Sequence, residues 1–117
     1  MKNLKMITLV MTMLFLGINK LSAQENTAQT VIIRTFELFG GGGNQSQMIV
    51  TSPDGTTKTA GLKNIDTKNY SIGVGNNNNV LQLEINHWKN QGFILDDVSN
   101  TVAGALMTTI FVFTKEK

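Results

Sequence analysis

The sequence predicts an α+β fold, a small antiparallel β-sheet with one α-helix packed on one face, in the order β-β-β-α-β-β. Three observations predict it. Residues 30–39, 47–52, 57–62 and 105–114 are rich in β-branched, aromatic and other apolar residues and are separated by Gly, Pro, Asn and Asp clusters. One stretch, residues 80–91, places apolar side chains at helical spacing. Most neighbouring strands are joined by loops too short for the crossover that parallel strands need, so the sheet is expected to be antiparallel.

At the start of the chain, Lys2 and Lys5 precede an apolar run over residues 6–18, and Leu21-Ser22-Ala23 ends in the small residue that signal peptidase prefers. This is the pattern of an export signal. The run is shorter than the roughly 20 residues of a membrane span, so cleavage after Ala23 and release into the periplasm or the medium are expected. An uncleaved membrane tether is the other outcome, and the membrane enters only through this signal. Three of the ten Lys and Arg residues (Lys2, Lys5, Lys20) lie in the signal, and residues 24–117 carry seven against eight Asp and Glu. A net charge of −1 does not steer a protein to nucleic acid, whose binding draws on clustered cations. The chain has no cysteine, so an oxidising compartment supplies no disulfide and burial alone must hold the domain.

In the mature chain, residues 24–29 are polar and read as an arm before a single domain over residues 30–117. The first strand, residues 30–39 (TVIIRTFELF), is stopped by Gly40 to Gly43. Strands 47–52 and 57–62 flank Pro53-Asp54-Gly55, where Pro presets φ and Gly accepts the positive φ of a turn. Tyr70 to Val74 is a candidate for a further short strand, weakened by Gly73. Leu81, Ile85 and Trp88 then make the apolar face of a helix, with Asn78 or Asn79 expected as its cap and Gly92 as its left-handed stop. Residues 93–98 return as a strand beneath the helix, and Asp96-Asp97 is expected where that strand meets water. Residues 105–114 close the sheet.

The order of Trp88, Gly92, Phe93 and Leu95 within residues 83–95, followed by a last strand ending Phe113-Thr114-Lys115, resembles the small uncharacterised family of domain-of-unknown-function proteins numbered 4177. That resemblance spans about forty C-terminal residues and, loosely, the first strand. It implies a sheet with one helix and a closing hairpin, and it implies no activity.

Motifs that could carry chemistry read more plainly as structure. Residues 71–75 (SIGVG) before a helix evoke a dinucleotide fingerprint, but the third glycine position is Asn78 and the domain is too small for a double-wound sheet. The Gly40 to Gly43 run lacks the Gly-Lys-Ser/Thr of a P-loop. His87, the only histidine, has no cysteines to join it as metal ligands. Asp96 and Asp97 with Ser99 and Asn100 lack the alternating spacing and terminal Glu of a calcium loop. No nucleophile elbow accompanies the many Ser and Thr residues, and Trp88, Phe93, Phe111 and Phe113 stand at core spacing and read as core before ligand-stacking groups. No metal or cofactor is expected.

The first and last strands are apolar on both sides. Val31 and Ile33 oppose Ile32, Phe36 and Leu38, while Leu106, Ile110 and Val112 oppose Met107, Phe111 and Phe113. One helix covers one face, so the other needs a protein partner, a sheet that curls over it or a second copy of the chain. Ile110, Phe111, Val31 and Ile33 are the residues expected to contribute to that surface. The expected function is therefore an exported, non-enzymatic binding or assembly module. The second reading is a small periplasmic ligand-binding protein or enzyme with a site at the Asn-rich loop (Asn79), His87 and Asp96. The processing expectation is directly measurable: the intact mass of the exported protein should correspond to a chain starting at Gln24, and a mass retaining residues 1–23 would refute it.

Overall fold

The computed structural model describes residues 28–41 and 45–116. The expected export signal and cleavage site, most of the polar arm and part of the glycine run lie outside the described residues. Five strands, β1 (Gln29–Leu38), β2 (Gln47–Thr51), β3 (Thr57–Gly61), β4 (Ile94–Ala103) and β5 (Leu106–Lys115), and one helix, α1 (Tyr70–Asn90), follow in the order β1-β2-β3-α1-β4-β5. The strands form one antiparallel sheet, β3-β2-β1-β5-β4, with a single helix among the described residues. The architecture is the expected one, α+β with the helix on one face.

The hairpin turn behaves as its residues dictate. Gly55 adopts φ 85°, and Asp54 Oδ1 accepts the Thr56 hydroxyl at 2.7 Å and its amide N–H at 2.9 Å. Those two bonds, the hydroxyl's first, hold the Asp54 carboxyl below its usual value. A folded value below the unfolded one makes this contribution complete above the ordinary carboxylate value and loses it as pH falls through the folded value.

The helix departs from the sequence reading at its start. It begins at Tyr70, so residues 70–74 are helical and form no strand, and Asn78 and Asn79 lie inside it and cap nothing. Two glycines and four asparagines make this first half a poor helix by propensity, and tertiary contacts override that. Gly73 is buried against the backbone of Asn64 and Ile65, where an added Cβ would lie 3.2 Å from the Asn64 carbonyl oxygen. One turn on, buried Asn77 accepts the Lys63 N–H at 2.7 Å and donates to the Lys63 carbonyl and to Glu37 Oε1, each at 2.9 Å. A side-chain amide suits this position because its oxygen accepts from the peptide N–H while its NH₂ donates to the peptide carbonyl and to Glu37 at once.

The C-terminal end follows expectation. Gly92 (φ 90°) donates to the Lys89 carbonyl and Phe93 to that of Trp88, the Schellman pattern, while the Lys115 ammonium donates to the Gln91 carbonyl at 2.6 Å. The hydrophobic contact that accompanies this motif is Trp88 on Phe93, edge to face with centroids 5.3 Å apart. Trp88 Nε1–H donates to Glu84 at 2.7 Å, and Glu84 pairs with Lys58 of β3 at 2.8 Å. The helix is thus tied to the sheet at both ends. Between them Val31, Ile33, Met48, Val50, Leu62, Trp88, Phe93 and Phe113 form the core.

Two expectations for β4 are corrected. It runs on past Asp96 and Asp97 to Ala103, and it lies at the sheet edge, exposed along its length, and not beneath the helix. A bulge between Leu95 and Asp97 accommodates the acidic pair. Trp88 joins the helix end, the Glu84–Lys58 pair and Phe93, so Trp88→Ala should cost ~3–5 kcal/mol out of the about 5–15 kcal/mol that such domains possess. Urea unfolding checks it, and a loss under about 0.5 kcal/mol, the surface range, would contradict the packing described.

Candidate interaction surface

Strand pairing assigns each side chain to a face, because paired residues share a face and neighbours along a strand alternate. Val31, Ile33 and Thr35 of β1 are buried, and the register aligns them with Phe113, Phe111 and Thr109 of β5 and, for Ile33 and Thr35, with Val50 and Met48 of β2. This is the helix-side face. Val31 and Ile33 have no exposed surface, and Phe111 packs against the core. Of the four residues expected at an interaction surface, three therefore belong to the core side. Ile110 alone faces away from the helix.

The face turned away carries Ile32, Phe36 and Leu38 from β1, Ile49 from β2, and Leu106, Ile110 and Val112 from β5, each half-buried. They are contiguous: Ile32 pairs with Val112, Leu38 with Leu106, and Arg34 lies between Ile49 and Ile110. Threonines rim the patch, among them Thr51, Thr108 and Thr114. Arg34, exposed at the patch centre, has no ion pair among the described residues, where Lys58–Glu84 is the salt bridge. Asp97, paired with Val112, puts an acidic charge on this face. The bulge puts it there: without the extra residue Asp97 would turn to the helix side and Val98 away from it. The partners on β1 and β5 were legible in the sequence as the second row of each of these strands. Both rows were apolar, so alternation by itself could not say which row the helix covers.

The helix-side face is itself only partly covered. Leu95, Val98 and Val102 of β4 remain 48%, 46% and 63% exposed. Beside them a groove of about 330 Å³, lined by Ile85, Lys89, Phe93, Leu95, Phe111 and Phe113, separates the helix from β4. A larger open cavity, about 740 Å³, lies at the helix C-terminal end against Trp88, Phe93, Lys115 and the Pro53-Asp54 turn.

The residues of the alternative site are not brought together. His87 is exposed, stacks edge-on to Trp88 and hydrogen-bonds Gln91 at 2.8 Å. Asn79 is exposed two turns earlier, about 12 Å along the axis, and Asp96 sits at the β4 bulge. Among the described residues no group of three or more His, Asp or Glu could hold a metal ion, and no helix is long and apolar enough to cross a membrane. The chain matches no protein-family model, no curated protein and no solved structure.

Adjacent residues on opposite faces give the sharpest check of this geometry. In the monomer, at protein concentrations too low for association, Ile110→Lys should change stability by no more than about 1 kcal/mol, the span of strand preferences. Phe111→Lys puts a charge into the core side and should cost at least ~2 kcal/mol. Denaturant titration of both variants decides it, and equal costs would mean that the faces are misassigned.

Proposed function

We propose that this is an exported, non-enzymatic module that acts by binding or assembly through the sheet face turned away from the helix. The observation that carries the reading is the contiguous apolar patch of Ile32, Phe36, Ile49, Ile110 and Val112 on that face. Contiguous apolar surface on a small domain marks a place where another molecule sits. Export rests on Lys2 and Lys5, the apolar residues 6–18 and Ala23. Kinship with the uncharacterised family numbered 4177 belongs to the same proposal and rests on the order Trp88-Gly92-Phe93-Leu95.

A thermal-shift screen of small metabolites, sugars and metal ions against the exported protein tests the reading. No compound should raise the melting temperature in a way that depends on His87. A stabilising small molecule whose effect disappears in His87→Ala would overturn it in favour of a periplasmic ligand-binding protein or enzyme.

A further inference from the structure

The open face has three properties that together select its occupant. First, it is large enough. Strands β1, β5 and β4 run ~33 Å and the shorter β2 ~17 Å, so at ~4.8 Å per strand they present roughly 550 Å². Two such patches bury on the order of 1,100 Å², just above the roughly 1,000 Å² that a biological interface should clear. Second, it is the face of a twisted sheet, and sheets of equal twist pack face to face with their strands closely aligned, as two copies of this chain would. Third, it carries charges of opposite sign, Arg34 and Asp97, neither of which has an ion pair among the described residues. Arg34 stands on β1 in the row Ile49-Arg34-Ile110, and Asp97 stands on β4 in the neighbouring row Thr51-Ile32-Val112-Asp97.

Resting on the assembly reading above, we infer that the occupant of this face is a second copy of the chain. The two copies are related by a two-fold axis that runs parallel to the strands between β1 and β5. That axis lays β1 on the partner's β5 and β2 on the partner's β4. The Asp97 carboxylate of each copy then arrives over Thr51 of the other, one strand and one row from Arg34. With sheets ~10 Å apart, the Cα atoms of Arg34 and Asp97 of opposite copies are about 13 Å apart. An extended Arg, an Asp and the hydrogen bond between them span that distance. The pair forms twice, and it closes over Ile32, Ile110 and Val112, where a lowered dielectric strengthens it. A two-fold contact of this kind closes on itself, so the product is a dimer and not a fibre. Asp97 reaches this face only because of the bulge, which makes the bulge part of the interface.

Sedimentation equilibrium of the purified exported protein tests this, with cooperative melting checked for each variant. The wild type should be dimeric, and Arg34→Glu and Asp97→Lys should each raise the dissociation constant at least tenfold. An equimolar mixture of the two variants should restore dimers. In the mixed dimer the carboxylate introduced at position 34 of one chain meets the ammonium introduced at position 97 of the other, while the native Asp97 and Arg34 meet across the second half. Both substitutions lie at exposed positions, so folding should persist. Three results would overturn the inference: a wild type monomeric at high concentration, dimers indifferent to both substitutions, or variants that dissociate and are not restored by mixing. The first leaves the assembly reading standing with a different partner, while a His87-dependent small-molecule hit removes that reading itself.

Discussion

Among the described residues one helix has to cover a five-stranded sheet, and it is too narrow to do so. A helix with its side chains is about 10–12 Å across, whereas five strands at ~4.8 Å spacing span roughly 24 Å. In length the match is good, since 21 residues rise about 31 Å and a ten-residue strand about 33 Å. In width the helix covers one side of one face. It lies toward β1, β2 and β3, where Glu84 reaches Lys58 and Asn77 reaches Glu37, and this leaves β4 bare. The buried core, the exposed Leu95, Val98 and Val102, and the uncovered far face all follow from this mismatch.

A core with no disulfide has to be held in register by packing and hydrogen bonds, and here these concentrate at two points on the helix. Asn77 binds both groups of one peptide unit and a carboxylate of β1, and the described buried side chains leave no polar atom without a partner. At the other end Trp88, Phe93 and the Gly92 turn fix the direction in which the chain leaves the helix for β4. A buried amide that replaces backbone partners is worth little when satisfied and costs much when broken, so these contacts specify the arrangement more than they add stability. Their outcome for function is positional. They commit the Val31-Ile33-Phe111-Phe113 row to the helix and thereby expose the Ile32-Phe36-Ile110-Val112 row.

Edge protection is uneven. At its start β4 carries Asp96, Asp97 and a bulge, devices that blunt strand-to-strand pairing. Its remaining half, Val98 to Ala103, has neither charge nor proline. The acidic pair therefore does two things at once, since the bulge that guards the edge also turns Asp97 onto the sheet's open face.

Much of this protein was determined by local sequence. The four apolar strand runs, the Pro53-Asp54-Gly55 turn, the Gly92 stop and the apolar row of Leu81, Ile85 and Trp88 are short-range patterns, in which a residue's own φ preference or its neighbour's spacing decides the outcome. The α+β class and the element order followed from them. What only the tertiary structure decided was the first half of the helix, the path of β4 and the choice of face. Gly73 and the four asparagines favour coil locally and become helical because the 62–65 loop packs on Gly73 and bonds Asn77, contacts 8 to 14 residues away in sequence. The expectation that Val31, Ile33 and Phe111 would lie at the surface failed for a related reason. A strand that is apolar on both sides has no preference of its own between them, and the side that becomes core is set by where a distant helix lands.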